Sequence, residues 1–243
     1  MDLVKFHSAL DTERFGFNIA KINDFDFPVV DILKALKSNN YKLIISKVKA
    51  NDLQLISELE RLGFELKDIQ VTYKKDTSGI SPFTKSANVK IRDAKLSDKD
   101  TLVNIAQKSF KDYGHYAADK KLDSKKCNEI YSDWIVRSFD KQVADNILVA
   151  EIDGQVAGFL SHKIYGSVTK YAAGGIGAID PFYRNKSIFK EITVAGIDWA
   201  RSNNCEWVEH NVLVTNYPVN RSFSNLGFRI QNSFVTFHKW LSE

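Results

Sequence analysis

Gly174–Asn203 reads GGIGAIDPFYRNKSIFKEITVAGIDWARSN. This stretch predicts a strand, a short loop and a helix in succession. The strand, Gly175–Asp180, is apolar and built of small residues. Asp180-Pro181 ends it, because proline disfavours continued pairing and restricts the residue before it. The loop is Tyr183-Arg184-Asn185-Lys186-Ser187. The helix runs from Ile188 to Ser202, with Ile188, Ile192, Val194, Ala195, Ile197 and Trp199 at apolar positions. A basic loop that feeds a helix N-terminus suits a phosphate, since free backbone N–H groups and the positive end of the helix dipole point at it.

The rest of the chain offers enough apolar sequence to bury a core around this unit. Of 243 residues, 44% are hydrophobic and 26% charged, which is ordinary for a globular protein and allows one large domain or two small ones. No apolar run approaches the 18 or so residues of a membrane span. The opening MDLVKFHSALDTERF has no basic-then-apolar leader, so a secretory signal is not expected. Cys127 and Cys205 stand far apart without metal-like spacing, so a reduced, cytoplasmic protein without a metal is expected. The net charge of +4 favours an anionic small molecule and argues for neither nucleic acid nor membrane.

Upstream, residues 1–80 read as a small α/β unit. Leu10–Phe17 (LDTERFGF) reads as a polar turn before an apolar strand through Ile19 and Ile22. Helices are expected over Val29–Leu36 and Leu53–Leu62, and strands over Tyr41–Val48 and Phe64–Tyr73. Gly63 stops the second helix. Leu62-Gly63-Phe64 and Leu226-Gly227-Phe228 repeat one pattern of helix, glycine and strand, which suggests that the first unit is a partial copy of the second. Residues 81–88 fall in a Ser/Gly/Pro-rich linker that begins near Asp76.

From residue 89 to 243 the expected elements are strands at Val89–Arg92, Asn146–Ala150, Gln155–His162, Ser167–Asp180 and Glu206–Val214. Helices are expected at Leu102–Phe110, Lys125–Phe139, Ile188–Ser202 and Val219–Leu226. One or two final strands fill Phe228–Leu241. Asp153-Gly154 marks a hairpin. The segment Tyr113–Lys126 shows little periodicity.

This order, β–α–α–β–β–β–α–β–α–β, together with Arg184-x-x-Ser187-x-Phe189 at the strand–helix turn, resembles the GCN5-related N-acetyltransferases. The resemblance implies an α/β (α+β) fold with a mixed central sheet and a splayed strand, plus a smaller N-terminal partial copy. It implies acetyl-CoA as co-substrate. The family's turn carries glycine where this chain has Ser187, and glycine or alanine where it has Phe189. Ile176, Gly177, Ala178 and Ile179 would be the splayed strand that bonds the pantetheine amides. Arg184, Asn185, Lys186, Ser187, Ile188 and Phe189 would cradle the pyrophosphate. Asn216–Phe228 resembles the family's Asn-to-Gly-Phe segment, so Asn216 would bond the pantetheine arm. The family's tyrosine, which protonates the leaving thiolate, falls on Phe223, which has no proton to give; Tyr217 and Ser222 are the nearest replacements, and Ser222 and Phe223 would also line the cofactor.

Within that family the chain is most similar to the dTDP-fucosamine acetyltransferases, which carry a truncated N-terminal copy. The similarity lies in Leu10–Phe17, His115-Tyr116-Ala117-Ala118-Asp119, Tyr131-Ser132-Asp133-Trp134 and Phe237-His238-Lys239-Trp240-Leu241. It implies direct acetylation of the amine of a dTDP- or UDP-linked deoxyamino sugar for cell-surface polysaccharide, and a possible homodimer. Candidate substrate contacts are His115, Asp119, Tyr131, Trp134 and Glu209. His115 is the first candidate for the base, because an imidazole suits proton removal near neutral pH; Glu209 or His210 follows, and strand alternation sends these two to opposite faces. His238 is expected to pack under the sheet. Two alternatives stay open: a peptide or small-molecule amine as acceptor, and an acyl-CoA-binding module that has lost catalysis.

Overall fold

A computed structural model describes residues 2–78 and 88–241. The chain folds as two compact units. The first comprises residues 1–70, 112–127 and 232–243, and the second residues 71–111 and 128–231. The boundary expected at residues 80–89 is therefore corrected: both units are discontinuous in sequence, because later segments return to complete the first. The linker expected at 81–88 lies outside the described residues except for Asn88.

In the first unit, α1 (Ala9–Phe15) leads to β1 (Asn18–Ile22), α2 (Val29–Ser38), β2 (Tyr41–Lys49) and α3 (Leu53–Arg61). The polar turn expected at Leu10–Phe17 is in fact helix α1, closed by Gly16 in the left-handed region at φ 81°. Seven residues are too few for periodicity to declare a helix; burial of Asp11 and Phe15 fixes it. β1 and β2 pair in parallel, and β2 pairs antiparallel with β9 (Arg229–Trp240). The core here is Ile22, Ile32, Leu36, Ile44, Leu59 and Phe237 with their neighbours. α5 (Gly114–Ala118), which the sequence left without periodicity, also belongs to this unit.

The second unit receives the end of β3 (Glu65–Asp76). It continues through β4 (Lys90–Asp93), α4 (Lys99–Ser109), the later turns of α6 (Ser124–Phe139), β5 (Asn146–Ile152), β6 (Gln155–Tyr165), β7 (Tyr171–Ile179), α7 (Ile188–Ser202), β8 (Trp207–Leu213) and α8 (Tyr217–Asn225). Strands β4 to β7 pair antiparallel in sequence order, and β8 joins β7 in parallel. The β5–β6 hairpin turns at Asp153 and Gly154, both at positive φ. Alternation along the strands, shifted by a bulge in the β5–β6 pair at Ala150/Glu151, separates two cores. Ile147, Val149, Phe159, Ile176 and Ala178 pack under Leu102, Ile105 and Ile135 of α4 and α6. Leu148, Ala150, Ala157 and Leu160 pack under Ile188 and Ile192 of α7. β9 is a single strand, so the second of the two possible final strands is absent among the described residues.

The inferred repeat is visible in backbone hydrogen bonds. Gly63 and Gly227 both take positive φ, at 75° and 80°. Phe64 N donates to Leu59 O and Phe228 N to Phe223 O, each at 3.0 Å. Gly63 N donates to Glu60 O, and Gly227 N to Ser224 O. α3 and α8 have nine residues each, so Leu59 corresponds to Phe223 and Asp52 to Asn216.

Two histidines lie in the core of the second unit. His162 on β6 is fully buried and His210 on β8 is 5% exposed. Gly196 of α7 makes room for the first: a Cβ there would stand 2.4 Å from His162 Nε2. A helix-interior Gly→Ala change ordinarily gains about 1 kcal/mol. Gly196→Ala is expected to reverse that sign and destabilise the protein by about 1–3 kcal/mol through overpacking, measured by urea unfolding.

Candidate acetyl-CoA site

β7 and β8 are paired only from Tyr171↔Trp207 to Gly174↔His210. Beyond that pair β7 runs on through Gly175–Ile179, paired with β6 alone. The two strands therefore part inside the second unit, and one side of β7 is left open there. The hydroxyl of Ser161 on β6 bonds both the N–H and the C=O of Ile176, at 2.9 and 3.1 Å. Backbone groups alternate sides along a strand, so the groups of Gly175 and Gly177 face the opening. Ile176, Gly177, Ala178 and Ile179 all lie on this stretch, as expected. Ile176 and Ala178 turn their side chains into the core under α4.

The turn after β7 is fixed by Asp180, whose carboxylate accepts from Phe182 N at 2.9 Å. A short 3-10 turn over Pro181–Tyr183 leads to Arg184, and α7 begins at Ile188. Asn185 and Ser187 both sit in the left-handed region, at φ 64° and 58°. A glycine is favoured at such a position, so the family's glycine has a physical reason, and Ser187 holds the same backbone shape at a cost of about 1 kcal/mol. Ser187 is the N-cap of α7. The first amides of that helix have no intrahelical acceptor, and the exposed Arg184 and Lys186 precede them in the turn. The Lys186 ammonium rests 5.4 Å from the Tyr183 ring. Arg184 is exposed, with long contacts of 3.4 Å to Ile179 O and Ser109 Oγ. Ile188 is buried, and Phe189 packs into the core against Phe223. A bulky side chain at 189 is thus accommodated away from the turn.

Asn216 caps α8, its carbonyl accepting from Asn220 Nδ2 at 2.8 Å. Phe223 is 2% exposed among Tyr73, Phe189, His210 and Phe228, with its ring stacked 4.7 Å from that of His210. The replacement donors expected beside it are corrected. Tyr217 is 66% exposed, and the Ser222 hydroxyl donates to Pro218 O. Helical spacing turns both away from the direction of Phe223.

The proposed substrate contacts divide between the units. Tyr131, Trp134 and Glu209 are in the second; Tyr131 stacks on Phe110, Trp134 is 36% exposed, and Glu209 accepts from Trp207 Nε1 at 2.7 Å. His115 and Asp119 are in the first. There His115 Nδ1 lies 2.9 Å from His238 Nε2, and His238 Nδ1 lies 2.7 Å from Asp119 Oδ2. The same oxygen accepts from Trp240 Nε1 at 3.0 Å, and Asp119 Oδ1 from Lys121 N at 3.1 Å. Burial opposes the charge of Asp119, but these donors outweigh it and hold its pKa at about 2. Asp119 is 3% exposed with its carboxylate engaged, so its expected role as a sugar contact is corrected to one within the protein. His238 is buried, as expected. Burial, with the neighbouring His238, lowers the pKa of His115 well below its ordinary value. Sequence reading missed this Asp–His–His chain, because its members come from two segments far apart and only the fold joins them.

In the first unit the matching parallel ladder runs along the whole of β1 and ends with it at Ile22. β1 and β2 pair from Asn18↔Tyr41 to Ile22↔Ser46 and no further. Beyond that pair lies a cavity of about 790 Å³ lined by Asp24, Asp26, Asp52 and Glu58 as well as Lys47 and Lys49. Carboxylates dominate where a pyrophosphate would need cations, so one cofactor site per chain is expected.

Residues 102–228, just over half the chain, match the acetyltransferase (GNAT) family. The chain belongs to that family. It is 25% identical over 194 residues to a mycothiol acetyltransferase of Acidothermus cellulolyticus, covering 74% of this chain and 57% of the relative's length. It is 28% identical over 145 residues to an uncharacterized N-acetyltransferase of Archaeoglobus fulgidus, covering 58% of this chain and 93% of that one. Among solved structures, a tandem GNAT protein from the clavulanic acid biosynthesis pathway superposes with a TM-score of 0.61 at 13% identity, over 88% of this chain and 69% of that one. That likeness is one of fold, and it accords with a second, partial copy. No helix among the described residues is long and apolar enough to cross a membrane.

Ser187→Gly relieves the left-handed strain at the turn. Because that shape is already present without ligand, the change is expected to stabilise the folded protein by up to about 1 kcal/mol, measured by urea unfolding.

Proposed function

We propose that the chain transfers the acetyl group of acetyl-CoA directly to the amine of a nucleotide-linked deoxyamino sugar, with no covalent enzyme intermediate. The observation that carries the acetyl-CoA part is the parting of β7 and β8 beyond Gly174↔His210, next to the left-handed turn that opens α7. An extended pantetheine arm would bond Gly175 and Gly177 as an added strand, and the pyrophosphate would meet the α7 N-terminus with Arg184 and Lys186. These contacts would fix the thioester carbonyl for attack by a neutral amine, and orientation supplies much of the rate in such a reaction.

The acceptor class rests on a different feature. Three segments that resemble the dTDP-fucosamine acetyltransferases interlock inside the first unit. Tyr116 donates to Asp11 at 2.9 Å and stacks on Phe15, His115 reaches His238, and Asp119 binds His238 and Trp240. Segments that depend on one another in this way support the subfamily reading more than separate matches would. A peptide amine or polyamine is the second reading, supported by the acid-lined cleft of the first unit.

Calorimetry of the full-length protein is expected to show one micromolar acetyl-CoA site per chain. Release of free coenzyme A should then depend on a dTDP- or UDP-linked amino sugar. Release with peptides or polyamines instead would replace the acceptor, and absence of binding at millimolar acetyl-CoA would overturn the acetyltransferase reading.

A further inference from the structure

When an amine takes an acetyl group from a thioester, a C–N bond forms and the C–S bond breaks. The electron pair leaves on sulfur, the surplus amine proton passes to solvent, and the thiolate needs a hydrogen-bond donor. Phe223 has none, and Tyr217 and Ser222 are turned elsewhere.

The two copies of the fold differ at the last pair of their parallel ladders. Ser46 and His210 each stand seventeen residues before the glycine that ends the matched helix, and each belongs to the last pair of its parallel ladder. In the first unit the Ser46 hydroxyl donates to Ile22 O across that pair at 2.7 Å, so the pair is closed by its own side chain. In the second unit His210 occupies the position. Its ring lies over Gly174, where a Cβ would stand 1.9 Å from Nδ1, so glycine is needed opposite it. His210 is 5% exposed, and its Nε2 has no hydrogen-bond partner. A buried polar nitrogen without a partner calls for an explanation, and a ligand group that satisfies it is one. His162, the nearest other imidazole, has its ring centre 5.9 Å away and lies against Trp199.

Resting on the acetyl-CoA reading above, we propose that His210 Nε2–H donates a hydrogen bond to the sulfur of the departing thiolate, in place of the hydroxyl that Phe223 lacks. The ring stacks 4.7 Å from Phe223, so donor and vacancy are side by side. Burial, with His162 beside it, pushes the pKa of His210 down to about 3, which keeps the ring neutral. A neutral imidazole stabilises the thiolate by hydrogen bonding and keeps its proton.

The test is ¹⁵N-histidine NMR of the full-length protein titrated with coenzyme A and with desulpho-coenzyme A. The His210 Nε2 resonance is expected to move with coenzyme A and not with desulpho-coenzyme A at equal occupancy. Wild type should prefer coenzyme A about two- to tenfold, as one hydrogen bond predicts, and His210→Leu should abolish the preference. His210→Leu/Phe223→Tyr should restore it. Equal shifts with both ligands, or a preference unchanged in His210→Leu, would overturn the assignment while leaving the acetyl-CoA reading intact. Binding of neither ligand would overturn that reading and this assignment together. The wild-type NMR arm stands even if a variant does not fold.

Discussion

A parallel ladder that stops well before its strands end governs this protein. From Gly174↔His210 onward β7 keeps its antiparallel partner β6 but loses β8. Unpaired backbone groups in a folded core are costly unless something satisfies them. On the proposed reading, an extended molecule with its own amides would be the complement, and the turn into α7 would offer its first amides to an anion. Packing covers the sheet beside the opening: Ile188 and Ile192 of α7 lie under one face and Leu102 and Ile105 under the other.

The same frame occurs twice, and the two copies have diverged at the positions that matter chemically. One ladder end is closed by Ser46 and its cleft is lined with carboxylates. The other holds His210, whose Nε2 has no hydrogen-bond partner, and leads to a basic turn. The first unit has its own buried polar centre in Asp119, His238 and His115. The carboxylate end of that chain stays ionised down to a pH of about 2, because its hydrogen bonds favour the charged form. By linkage, the stability it contributes is present above the unfolded aspartate pKa and is lost as pH falls through about 2.

Much of this was legible from residues. The helix Ile188–Ser202 is as expected from its apolar spacing, and the strand–turn–helix around Ser187 follows from Asp180-Pro181 and the basic loop. The Gly63/Gly227 repeat was faint in sequence and is plain in matched hydrogen bonds, because glycine is there for its backbone angle. Local signals failed where structure is decided by distant contact. The helix Ala9–Phe15 is too short to show a period. The unit boundary depends on segments 112–127 and 232–243 returning to the first unit. Asp119 looked like a ligand for sugar, and only the fold reveals that His238 and Trp240 already occupy it. Likewise, nothing local in the sequence tells that His210 Nε2 is buried without a hydrogen-bond partner.

The most direct test of the account is hydrogen exchange of the full-length protein with and without coenzyme A. The prediction is slowed exchange at the amides of Gly175–Ile179 and Ser187–Phe189, with residues 23–29 and 47–49 of the first unit unchanged. Protection confined to the first unit, or none at saturating coenzyme A, would contradict the claim that the parted strands of the second unit are the cofactor site.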